Sequence, residues 1–265
     1  MNIFKREMKA NLKSLIIWCV CFAFLVITGM IKYAGTNGDS QALTNVIDQI
    51  PPFLKALFGL GTYDITTLIG YFGVVLFYLV LLAAVHASFV AAHIISKEEQ
   101  EKTTEFLLVK PISRSKILIS KIFAVFVNII IVNIVSLISS LIIVSMMSKG
   151  VDYSTTIVLM FVEMFAVQII FLFVGTAIAT LSHKPKLAGS RATVVLVSAF
   201  LLSGLIDMFS ELGFLRGFTP FKYFNGADII KNIPPDPLMI LLALGVSIVL
   251  CVVTFMGYRK RDLNV

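Results

Sequence analysis

The feature that most constrains this chain is a series of long stretches without a single formal charge. Residues 66–96 run for 31 positions and residues 122–148 for 27. Shorter uncharged stretches follow the N-terminal segment and precede the C-terminal one. A helix crosses the apolar part of a bilayer in roughly 20 residues, and stretches of this length and polarity are the signature of such helices. A large aqueous core does not explain them, because 58% of the residues are apolar and only 14% charged. Ordinary soluble domains carry about 25% charged residues to cover their surface.

Six segments qualify as spans, at approximately 14–34, 66–96, 117–148, 153–182, 187–206 and 237–258. The fifth is the weakest, with Arg191 near its start. The second, third and fourth are long enough to tilt or to project beyond the lipid. The N-terminal run is too long, and too poorly closed by small residues, for a cleaved signal peptide, so it is expected to be a retained helix. The expected architecture is all-α, a single transmembrane domain over residues 1–265.

Orientation follows from lysine and arginine. The N-terminal segment, the loops after spans two and four, and the C-terminal tail hold sixteen of the 22. The other side holds six: Lys32, Lys55, Lys149, Arg216, Lys222 and Lys231. The positive-inside rule then puts both termini in the cytoplasm. An even number of spans agrees. The same asymmetry accounts for the net charge of +7 without invoking nucleic acid.

Two outer loops are more than connectors. Residues 35–65 contain Pro51-Pro52 and the run Phe53-Leu54-Lys55-Ala56-Leu57-Phe58, which has the composition of an interfacial element. Residues 207–236 mix Phe209, Phe214, Phe218, Phe221, Tyr223 and Phe224 with glycine and proline. Such aromatics suit either the headgroup level or a re-entrant stretch packed on the bundle.

The stretch between spans two and three carries the most information. A charged stem, Lys97-Glu98-Glu99-Gln100-Glu101-Lys102, continues the second helix out of the lipid. Thr103 or Thr104 can cap a short helix holding Glu105 and the apolar Phe106, Leu107, Leu108 and Val109. Pro111 ends it, because a proline pushes the preceding residue out of the helical region. Ser113 is placed to cap the next helix. Such an elbow suits docking into a groove on a soluble partner. A solvated loop with an incidental apolar patch fits the same residues.

Glu99 to Arg114, with Thr103, Glu105, Leu107-Leu108, Pro111, Ser113 and Arg114, resembles the cytoplasmic loop of ABC-2 type permeases, the membrane subunits of ATP-binding-cassette exporters. That loop commonly reads E-x-x-x-G-T-x-E-x-L-L-x-x-P-x-S-R. This chain departs at Lys102, where glycine is common, and at Thr104, where leucine or isoleucine is common. Phe4-Lys5-Arg6-Glu7-Met8-Lys9 resembles the family's amphipathic elbow helix on the inner membrane face. Phe218-Thr219-Pro220-Phe221-Lys222-Tyr223-Phe224 resembles the S-P-F-x-Y-F stretch before its last helix.

The resemblance implies an exporter permease in a cell membrane, of bacterial type, with a coupling helix that contacts a separate ATPase. Glu98, Glu99, Glu101, Thr103, Thr104, Glu105, Phe106, Leu108, Pro111, Ser113 and Arg114 would form that contact. The chain has no G-x-x-x-x-G-K-[ST] phosphate loop, so ATP and magnesium are expected on the partner and no cofactor on this chain. The implied assembly is two ATPase subunits with two permease copies, as a homodimer or with a close paralogue.

Inside the spans, Glu163 is the formal charge nearest a span's middle, and such residues are functional candidates by default. It and Gln168 are candidates for a substrate pathway. Asn128, Asn133 and Gln168 can also bridge helices, and Gly175 with Ala179 suits close helix contact. His86 and His93 share a helix face without a third ligand, so no metal site is expected. An amphipathic substrate, such as a peptide, an antimicrobial or a lipid-like molecule, fits an apolar interior with one glutamate. An ion-coupled transporter would want several buried charges along a path. A membrane anchor that only recruits an ATPase would need no path at all.

Overall fold

A computed structural model describes residues 3–35, 49–51, 54–55, 59–60, 62–101 and 113–260, the side chain of Ser210 excepted. Six long helices dominate it: α1 (Ile3–Gly35), α2 (Leu68–Gln100), α3 (Arg114–Met147), α4 (Ser154–Leu181), α5 (Ala188–Met208) and α7 (Pro237–Lys260). A five-residue helix, α6 (Gly226–Ile230), lies between α5 and α7. All six long helices are apolar enough to cross a membrane. At 1.5 Å per residue, the 33-residue α1 and α2 each reach about 50 Å, well beyond the ~30 Å hydrocarbon layer.

Local chemistry sets the ends of these helices. Thr67 caps α2, its hydroxyl accepting from the Gly70 amide at 3.1 Å. Ser113 caps α3 as the sequence suggests, accepting from the Lys116 amide at 3.4 Å. The Asp152 carboxylate accepts from the Ser154 amide at 2.9 Å and hydroxyl at 2.6 Å, opening α4. These caps satisfy amides that a helix start otherwise leaves orphaned.

The helices α2 and α4 form the centre, with 56% and 50% of their spans buried, against 11% for α7. Their approach depends on Gly175. A Cβ there would stand 2.3 Å from the Ser88 carbonyl oxygen, so the two backbones touch where only glycine fits. One apolar cluster joins Ala84, Ala87, Ala91 and Ile94 of α2 to Phe171 and Ala179 of α4 and Leu196 of α5. A second joins Phe22 and Val26 of α1 to Phe72, Leu79 and Met160. The outer helices keep apolar side chains exposed in stripes, such as Ile16, Val20, Phe24 and Ile31 on α1. That pattern fits lipid or another apolar surface as surroundings.

Two expectations change. No separate elbow helix is described at Phe4–Lys9; those residues are the first turns of α1. The physical reason is that Ala10-Asn11-Leu12-Lys13 contains no glycine or proline to break the helix, while Ile3 and Glu7 are held in the bundle. The aromatic loop after α5 is split between the two roles considered for it. Phe209, Phe214 and Phe218 are exposed, whereas Tyr223 is buried and Phe221 packs on Phe171 at 5.0 Å and Phe200 at 5.7 Å. Residues 103–109 and Pro111, where a coupling helix is expected, and most of the run 53–58, lie outside the described residues.

Candidate functional site

Charged groups gather at the two ends of the bundle, and the two ends treat them differently. At the first end, α1 starts, α2 ends, α3 starts and α7 ends. Helical spacing of four puts Glu98 on the same face of α2 as buried Ile94, and Lys121 on the same face of α3 as buried Ile117 and Val125. Both charges therefore enter the packed interior.

There they meet. The Lys121 ammonium is fully buried and donates to a Glu98 carboxylate oxygen and, at 2.6 Å, to the Ile94 carbonyl. Arg6 donates to the other Glu98 oxygen at 2.7 Å and to the buried Glu7 at 2.6 Å. Two cations and two carboxylates form one neutral cluster across α1, α2 and α3, which offsets the desolvation of each member. Glu98, grouped in the sequence with the ATPase contact, thus turns its carboxylate inward.

This end is tied further. The Gln100 side chain donates to the Pro185 carbonyl at 2.9 Å, fixing the end of α2 to the α4–α5 connection. Arg259 of α7 donates to the Ser115 hydroxyl at 3.1 Å, and Arg114 donates to the Arg259 carbonyl at 3.3 Å. Both stems of the loop between α2 and α3 are thereby joined to neighbouring helices. On those stems Glu101 is exposed and Glu99 is half-buried.

At the opposite end a cavity of about 410 Å³ lies between α2, α4, α5 and the segment from Asp207 to Met239. Its floor includes buried Leu76, Met160, Met164 and Val167. Phe77, Phe200 and Phe221 form a continuous aromatic row along it, with centroids 5.8 and 5.7 Å apart. Tyr63 lines another side. Its ring lies only 2.3 Å from where a Cβ on Gly73 would stand, so the glycine is what lets the preceding loop fold against α2.

Glu163 opens into this cavity, with Asp207, Asp228 and Asp236 around it. Burial raises the Tyr63 hydroxyl well above the usual tyrosine range, and the negative charges of Glu163, Asp228 and Asp207 push it further. Two cations line the same space, Arg216 and Lys222, and Lys222 is paired with Asp207. Outside the cavity, the Asp64 carboxyl is held below its ordinary value by hydrogen bonds from the Thr66 hydroxyl and amide.

Glu163 and Gln168 are not brought together. Gln168 is fully buried and bonded to Asn133 between α3 and α4, as a helix bridge. Sequence reasoning did not single out Lys121, Arg6, Tyr63 or Asp228. A lysine four residues from apolar neighbours on either side was the available signal for Lys121. Tyr63 and Asp228 carried none, because only the folding of loops brings them to Glu163.

A family described as the C-terminal domain of the multidrug efflux system permease Rv1217c matches residues 8–259. The chain belongs to that family. No curated protein matches it. The match to this efflux-permease family takes in every residue lining the cavity, together with Glu98 and Lys121, while Arg6 and Glu7 precede it. A permease must let cargo pass while its helices stay packed. In this permease domain the buried charges at one end are paired with each other, whereas at the cavity Lys222 is paired with Asp207 and no described residue is bonded to the Glu163 carboxylate.

Proposed function

We propose that the chain is the membrane-spanning subunit of an ABC-2 type exporter, moving an amphipathic substrate out of the cell with ATP hydrolysed on a separate subunit. Membership of an efflux-permease family over residues 8–259 is the observation that carries this reading. The loop motif from Glu99 to Arg114 adds the ATPase as partner. In this reading the chain is a transport subunit without catalysis of its own. Both termini face the cytoplasm of a multi-pass cell-membrane protein, and two permease copies stand on two ATPase copies that bind ATP and magnesium.

The mechanical argument rests on the stems. When the ATPase subunits close, they push on the loop segment that holds Thr103, Thr104, Glu105, Phe106 and Leu108. Its two stems are Glu98–Glu101 at the end of α2 and Ser113–Arg114 at the start of α3. Because Glu98 is bonded to Lys121 and Arg6, a push on either stem is delivered to α1, α2 and α3 together. An ion-coupled transporter would need several unpaired buried charges along a path; Glu98, Lys121, Arg6 and Glu7 are paired with each other, which leaves Glu163 for such a path.

The test is co-purification in mild detergent. Glu105→Lys and Leu108→Asp release the ATPase while the permease stays monodisperse. Retention of the ATPase by both variants would remove the coupling role from this loop.

A further inference from the structure

The cavity around Glu163 has a composition that restricts what can occupy it. At about 410 Å³ it falls in the range that holds drug-sized molecules. Its floor is apolar, and one side is the aromatic row Phe77–Phe200–Phe221. Four carboxylates and two cations line it, so negative charge is in excess. Lys222 is already taken by Asp207, and Arg216 is exposed. Asp236 is engaged at the start of α7, its carboxylate accepting from the Leu238 amide at 2.9 Å.

Asp228 on the short α6 has no side-chain bond to another described residue, and Glu163 differs from all of these by its place inside a long helix. It stands in the tenth position of α4, roughly 13 Å along the helix from its start. No hydrogen bond or ion pair joins it to another described residue. A carboxylate within a span is costly unless something compensates it. Elsewhere this same chain pairs its interior carboxylate, Glu98, with two cations. Among the described residues no cation is bonded to Glu163, and aromatic rings line the cavity it opens into.

We infer that this cavity is a binding site for an amphipathic organic cation, whose charge sits against Glu163 and whose apolar rings lie along Phe77, Phe200 and Phe221. Ring faces attract cations, and a cation delocalised over aryl groups sheds its water readily. The excess of carboxylates at Asp228 and Asp236 disfavours anions of the same shape. The site lies within one protomer, so it is complete without a second copy. The inference rests on the exporter reading for its role in transport, but binding itself needs neither ATP nor the ATPase.

The test uses the purified full-length chain in detergent and two ions of the same shape, tetraphenylphosphonium and tetraphenylborate. Equilibrium dialysis with labelled tetraphenylphosphonium gives saturable binding at one site per chain, and labelled tetraphenylborate, dialysed in a separate experiment, gives none. Glu163→Gln weakens binding about tenfold or more, the scale of one unit-charge contact in a partly buried site. Glu163→Asp, which keeps the charge, stays within about threefold of the original, and Asp152→Asn, an exposed carboxylate outside the cavity, has no effect. Should the Gln variant fold poorly, the comparison of the two ions on the unaltered chain still decides the site. Equal binding of the two ions, each dialysed alone, or undiminished binding in a monodisperse Glu163→Gln, would overturn the site. A chain that binds the cation yet copurifies no ATPase would keep the site and lose the exporter reading. A chain that copurifies an ATPase yet binds no cation would do the reverse.

Discussion

The two ends of this bundle solve the same problem in opposite ways. Both bring carboxylates into an apolar interior, where an uncompensated charge is expensive. Where α1, α2 and α3 meet, Glu98 is bracketed by Lys121 and Arg6, and the cluster is neutral and packed. At the opposite end, Glu163 faces a cavity with no cation bonded to it among the described residues. The first arrangement serves the fold, because each charge is needed by its neighbours. The second leaves the fold indifferent to the charge and makes it available to a ligand. The chain therefore separates holding from binding along the length of its own helices.

The sharpest way to break this comparison is Lys121→Met. It leaves Arg6 alone to face both Glu98 and Glu7, so the buried cluster carries one uncompensated negative charge, at a cost of up to about 3–5 kcal/mol. Denaturant unfolding in mixed micelles reads that loss, and the double variant Glu98→Leu/Lys121→Met recovers most of it. A single variant as stable as the original would mean that the cluster holds nothing. Next in size is Gly175→Leu, which drives a side chain into the Ser88 backbone and parts α2 from α4. Overpacking of this kind costs about 1–3 kcal/mol. It also deforms the cavity wall that both helices share, so cation binding falls with stability.

Asn133→Leu is smaller. It removes the bond to Gln168, and polar bridges between membrane helices contribute about 0.6 kcal/mol. A loss above ~2 kcal/mol would show that the bridge belongs with the structural charges. The smallest effect on stability is expected at Glu163→Gln, within about 0.5 kcal/mol of the original. Efflux of an organic cation should nonetheless fall in cells carrying that variant. A large destabilisation by Glu163→Gln would erase the distinction between the two ends.

The spans were legible because their physics is local. Twenty apolar residues in a row leave few alternatives, and the structure places α2 and α3 within a few residues of the expected ends. Ser113 was legible for the same reason, since a cap and its amide lie three residues apart. The aromatic loop after α5 was legible in composition but not in arrangement. Phe218 and Phe221 are chemically alike and only three residues apart, yet one is exposed and the other packed on Phe171. Glu98 shows the limit most clearly. In sequence it belongs to a run of charges that looks solvated, and only the meeting of three helices, with Arg6 92 residues away, turns it inward. Glu163 was visible as an exception within its span, but the cavity that gives it meaning is assembled from loops distant in sequence.

We propose that this efflux-permease chain works as the membrane half of an ATP-driven pump. The most direct test is native mass spectrometry of the full-length chain, extracted from its own membrane in mild detergent. The expected species is a complex of two permease copies with two copies of a soluble ATPase. A permease that emerges without any ATPase, under conditions that keep other membrane complexes whole, would contradict it.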